Sequence, residues 1–148
     1  FVLSTDMTFH FAFIEKMNIL DPSIIKRYYQ WNGQDNPVMN KIFEVLKWIR
    51  LKSIIKMADI SNPCRPQPQA EYWAFAYVDE NRAIGALGGI KTEVHDHSKK
   101  SVVKCQIGFI NYVLKPFMDA FAKTWGAAID MHIQNELYDN MNRTLSIW

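Results

Sequence analysis

Two cysteines in 148 residues, Cys64 and Cys105, are too few and too far apart for a disulfide framework. They read as free thiols of a reducing, intracellular compartment, and Arg65 beside Cys64 has the sign that lowers a thiol pKa. Charge of one sign is also missing. The 17 Lys+Arg and 15 Asp+Glu leave a formal +2, too little for the electrostatic footprint of a nucleic-acid binder. No apolar run approaches the roughly 18–20 residues that cross a bilayer, and nothing resembles a signal peptide. Internal repeats, heptads and convincing strands are absent too. What remains is a globular composition, 49% hydrophobic and 22% charged. The chain starts Phe1-Val2-Leu3, already apolar and without an initiator Met, and reads as a piece of a longer cytoplasmic protein.

Helical periodicity carries most of the information. Met7, Phe11, Ile14, Met17 and Leu20 recur every three or four positions, with Thr5 or Asp6 as the cap and Asp21-Pro22 as the break. The polar run Asn32–Pro37 predicts a surface turn. After it Val38, Ile42, Val45, Leu46, Ile49, Ile54, Ile55 and Ala58 predict a long helix ending near Ser61-Asn62-Pro63. Three prolines between Pro63 and Pro68 predict a stiff, extended connection. A third helix is expected over Gln69–Arg82, burying Tyr72, Trp73, Ala76, Tyr77 and Val78, and Gly85, Gly88 and Gly89 are expected to end it. A fourth runs from about Ser101 to Lys123 with a kink or break at Pro116. A closing helix carries Met131, Leu137, Met141, Leu145 and Trp148 on one stripe. The class is all-α.

Several residue clusters invite chemistry and yield to simpler readings. His95-Asp96-His97 has no second cluster and two lysines beside it, which describes a solvated loop better than a metal site. Gly85–Gly89 lacks the lysine and strand of a phosphate-binding loop. His10, in an apolar helix, reads as a packing histidine. Asp59 is different. A carboxylate at the end of an apolar helix, before a proline-stiffened turn, is either a hard-oxygen metal ligand or a structural cap and ion-pair partner.

Three blocks, in order, resemble the catalytic domain of class I cyclic-nucleotide phosphodiesterases. They are Val2-Leu3-Ser4-Thr5-Asp6-Met7-Thr8-Phe9-His10, Ala58-Asp59-Ile60-Ser61-Asn62-Pro63 with Trp73 downstream, and Lys104-Cys105-Gln106-Ile107-Gly108-Phe109-Ile110. The resemblance spans nearly the whole chain and implies one partial catalytic domain over residues 1–148, the C-terminal portion of an all-α, multi-helix fold. It also implies site roles. Asp59 matches a metal-binding aspartate, Asn62 an asparagine near the base, and Gln106 the purine-reading glutamine. Phe109 and Tyr77 match the two jaws of a base clamp, Met7 a methionine facing the pocket, and Thr5 a position beside metal-bound waters. Tyr77 is bulkier than the usual aliphatic jaw, and Asn81–Gly89 departs from the family's loop.

The family's early His-Asn-x-x-His motif and later His-Asp pair belong upstream of the block that Phe1–His10 resembles, and so are absent from these 148 residues. Two histidine ligands, a bridging aspartate and the general-acid histidine are therefore expected upstream. The complete domain is expected to use Zn²⁺ with Mg²⁺ (or Mn²⁺) and to hydrolyse a 3′,5′-cyclic nucleotide to the 5′-monophosphate. Asn62 within Asn-Pro-Cys-Arg-Pro favours cyclic AMP over cyclic GMP. The alternative is an inactive phosphodiesterase-like subunit with a structural or nucleotide-sensing role among other subunits of a larger assembly. Membrane or cytoskeletal attachment would come from regions outside these residues.

Overall fold

A computed structural model describes residues 6–88 and 99–148 of the chain. Every regular element among the described residues is helical: α1 (His10–Asn18), α2 (Pro22–Tyr29), α3 (Pro37–Ile60), α4 (Gln67–Ala86), α5 (Lys99–Phe109), α6 (Lys115–Trp125) and α7 (Met131–Ile147). Short 3₁₀ turns at Met7–Phe9, Asn62–Cys64 and Gly126–Ala128, and a π-helical turn at Ile110–Leu114, complete the set. The expected all-α class holds. Thr5, Gly89 and His95-Asp96-His97 lie outside the described residues.

The chain divides into two compact units. One comprises residues 1–60 and 116–134, the other 61–115 and 135–148. In the first, α3 turns Phe43, Leu46, Ile49, Met57 and Ile60 inward, and α6 contributes Phe117, Met118, Ala120, Phe121 and Trp125. Phe117 is fully buried and stacks on His10 (centroids 5.7 Å apart) and Phe13 (6.3 Å). His10 is thus the packing histidine its apolar surroundings predict. Polar ties close the unit: Tyr29 Oη donates to the Trp125 carbonyl at 3.2 Å, and Thr124 Oγ1 to the Met17 carbonyl at 3.3 Å.

In the second unit the Asn62–Cys64 turn packs on α4, and α4 packs on α5. Small residues make the α4 contact face: Ala74 and Val78, four apart, meet Val102 of α5, with Trp148 laid against them. Trp148 also makes an edge contact with Phe75, centroids 6.2 Å apart.

Four expectations need correction. Asp21-Pro22 starts α2 as well as ending α1, because Asp21 caps the Ser23 amide at 2.7 Å and proline fits the first helical position, where no N–H is needed. Pro68 likewise sits in the first turn of α4, so the extended connection shrinks to Arg65-Pro66. Gly85 is helical, and the end comes at Gly88, whose φ of 86° closes the helix in the left-handed region. Tyr72, Trp73 and Tyr77 are exposed, since the Ala70–Ala74–Val78 stripe rather than the aromatic one faces inward.

Replacing Phe117 by Ala removes the ring that His10 and Phe13 stack on. The expected cost is about 3–5 kcal/mol of stability, read by urea unfolding of the chain. A loss below about 1 kcal/mol would show that the site collapses without a cavity.

Candidate functional site

The last turn of α3 carries Asp59, and its neighbourhood is built around Lys56. Lys56 has no solvent exposure, and its Nζ donates to the Asp6 carbonyl at 3.3 Å. A buried ammonium is costly unless oxygen atoms and negative charge compensate it. Here the Asp59 and Asp6 carboxylates pull its pKa upward, while burial, the larger influence, holds it below the ordinary 10.5. The result is a tie between the turn bearing Met7 and the α3 turn bearing Asp59. Asp6 caps that N-terminal turn, its Oδ1 accepting from the Thr8 amide at 2.8 Å. Its carboxyl sits below the usual range, first because of the Thr8 backbone hydrogen bond, then the Thr8 side chain, with a smaller pull from Lys56. Asp59 itself is exposed. An acid in the last turn opposes the helix dipole by about 0.3–1 kcal/mol, and Lys56 one turn earlier offsets this. The sequence reading passed over Lys56. Its signal was a lone cation among Ile54, Ile55 and Met57, three residues before an acid.

Asn62, Tyr77, Gln106 and Phe109 all fall in the second unit, whereas Met7 and Asp59 belong to the first. Asn62 opens the 3₁₀ turn, and its Oδ1 accepts from Arg65 Nε at 3.2 Å, which fixes the carboxamide plane. Tyr77 is half exposed on α4, where its carbonyl accepts from Asn81 Nδ2 at 2.7 Å. Gln106 is buried on α5, one turn beyond Val102. Among the described residues no group hydrogen-bonds its side-chain amide. The carboxamide presents both a donor and an acceptor, and neither atom is among the fully buried polar atoms that lack a hydrogen bond. Phe109 closes α5 partly buried, and the π-helical turn begins at the next residue. Met7 is 44% exposed in its 3₁₀ turn.

The thiols give a correction. Cys64 and Cys105 are in no disulfide, as expected, but burial pushes Cys64 up to about 12, and Cys105 is raised for the same reason. Desolvation of the thiolate outweighs Arg65, whose guanidinium is turned to the Asn62 carboxamide.

Asp59 supplies one carboxylate, and among the described residues no three His, Cys, Asp or Glu side chains converge. A pair of divalent ions needs more ligands than that. The described residues alone do not fit a metal centre. No described helix is long and apolar enough to cross a membrane.

Residues 1–135 match the family model for 3′,5′-cyclic nucleotide phosphodiesterases. The chain is 28% identical over 160 residues to the human high affinity cAMP-specific and IBMX-insensitive 3′,5′-cyclic phosphodiesterase 8A, covering 99% of this chain and 18% of that protein. It is 30% identical over 151 residues to the mouse phosphodiesterase of the same name, covering 94% and 18%. The chain thus spans less than a fifth of these relatives. Among solved structures, the phosphodiesterase domain of a RhoPDE fusion protein from the choanoflagellate Salpingoeca rosetta superposes with a TM-score of 0.70 at 20% identity. That match covers 99% of this chain and 43% of that one, and it shows a shared fold.

The Lys56 environment sets a pH dependence. Its folded pKa lies below 10.5, so within that interval unfolding takes up a proton and this group's contribution to stability grows as pH rises. The difference in unfolding free energy between the parent and Lys56→Met is expected to increase from neutral pH towards 10.5 and then level off. Urea melts at a series of pH values measure it. A flat or falling difference would contradict the burial of the ammonium.

Proposed function

We propose, for a chain that belongs to the 3′,5′-cyclic nucleotide phosphodiesterase family, that the protein containing it hydrolyses a 3′,5′-cyclic nucleotide to the 5′-monophosphate. Cyclic AMP is the favoured substrate. The observation that carries the reading is the placement of Gln106, a largely buried residue of α5, in the same compact unit as Asn62, Tyr77 and Phe109. The amide of Gln106 donates to one atom of a purine edge and accepts from its neighbour. The Phe109 ring stacks on the flat face of the base, a contact generally worth about 1–3 kcal/mol. Tyr77 forms the opposing jaw, and Asn62, held by Arg65, contributes to selection of the base.

Base binding acts far from the reacting phosphorus, where it supplies positioning. Asp59 is assigned as one ligand of the divalent metal pair, Zn²⁺ with Mg²⁺ or Mn²⁺, that such hydrolysis uses. Together with ligands outside this chain, Asp59 would help hold such ions, which would supply a nucleophile at neutral pH and offset phosphate charge. The remaining ligands and the general-acid histidine are assigned to sequence outside this chain, consistent with the lack of a three-ligand cluster among the described residues. The second reading is an inactive phosphodiesterase-like subunit with a structural or nucleotide-sensing role.

Two substitutions in the full-length protein, assayed with metal supplied, separate these roles. Asp59→Ala is expected to lower kcat by at least about 100-fold with little change in thermal stability, because an exposed carboxylate adds little to the fold. Retained turnover would remove Asp59 from the metal site. Gln106→Ala is expected to raise KM about tenfold with kcat nearly unchanged, as for a group that binds ground and transition states alike. An unaltered KM would count against base reading. Nucleotide binding by the parent without hydrolysis would select the subunit reading.

A further inference from the structure

The helical segment carrying Gln106 and Phe109 does not continue as a plain α-helix. From Ile110 to Leu114 it opens into a π-helical turn, in which the Lys115 N–H donates to the Ile110 carbonyl five residues back. Pro116 follows. Its ring would clash with the carbonyl four residues earlier, that of Tyr112, in a regular α-helix, and it has no N–H to offer that carbonyl. A wider turn relieves the clash. The extra residue also solves a register problem. Val102, Gln106, Ile110 and Leu114 are all buried and spaced four apart. On an α-helix each step of four overshoots a full turn by about 40°, so three steps would carry Leu114 about 120° off the stripe. A π turn, with more residues per turn, reverses the drift over the last step and brings Leu114 back towards the buried line of Gln106 and Ile110. Turns of this type concentrate at functional sites.

We propose that the π-helical turn Ile110–Leu114, held open by Pro116, is a positioning device that sets the face on which Gln106 and Phe109 meet the purine. The proposal rests on the base-site reading above. Pro116 and the turn's extra residue thus govern nucleotide affinity and selectivity without touching the nucleotide. Val102, Gln106 and Phe109 precede the turn, so closing it to an α-helix rotates them together relative to the buried Leu114 on its far side. The amide then leaves the line it shares with Leu114.

The test uses two variants of the full-length protein, Pro116→Ala and deletion of the exposed Asn111, each of which lets the segment return to α register. Expected for cyclic AMP is a KM raised about tenfold, kcat changed by less than about twofold, and a shifted preference between cyclic AMP and cyclic GMP. A second readout is independent of catalysis. Cys105 neighbours Gln106, so its labelling by iodoacetamide should change by at least about fivefold, while buried Cys64 stays slow as an internal control. If one variant fails to fold, the other decides. Unchanged KM together with unchanged Cys105 labelling overturns the proposal. If the parent neither binds nor hydrolyses cyclic nucleotides, the phosphodiesterase reading falls, and Cys105 labelling alone judges whether the turn sets the register.

Discussion

A lysine ammonium with no access to water has to find oxygen and negative charge inside the protein, and Lys56 finds both. That demand fixes how the first turn of the described chain meets the last turns of α3. The Asp6 carbonyl accepts a hydrogen bond from Lys56 Nζ, the Asp6 carboxylate caps its own turn, and Asp59 lies one helical turn from the cation. A buried charge held in this way adds little net stability against an apolar replacement, yet removing a compensating group strands it. Its consequence is geometric. Met7 and Asp59, far apart in sequence, are held through one side chain.

The second unit applies a different constraint to the residues assigned to the base. Ala74 and Val78 are small, so α4 and α5 approach closely through Val102. The aromatic side chains of α4 are thereby left outside, Tyr77 among them, instead of filling a core. Gln106, next on the Val102 line, is buried in a stripe that offers its amide no described partner. In a purely structural helix such a residue would be replaced by a hydrophobic one at no loss.

Much of this was legible in the sequence. The 3.6-residue periodicity of Val38–Ala58 marked α3, and the acid before Asn62-Pro63 marked its end. Legibility failed where one residue type serves two geometries. Proline after Asp21 signals a stop for one helix and a start for the next, and composition alone does not say that both occur. The apolar residues of α4 offered two stripes, one small and one aromatic, and pairing with Val102 chose the small one. Pro116 announced a disturbance, but its form, a widened turn and not a break, follows from the four-residue spacing of its buried neighbours. Lys56 was invisible because a lysine in a helix is ordinarily a surface residue.

The account stands most directly on which phosphorus–oxygen bond the full-length protein cleaves. Phosphorus-31 NMR of cyclic AMP incubated with that protein and divalent metal follows substrate and both possible monophosphates in one spectrum. The expected result is conversion of the cyclic resonance to that of the 5′-monophosphate alone. A cyclic resonance that persists undiminished, or the appearance of the 3′-monophosphate, would contradict it.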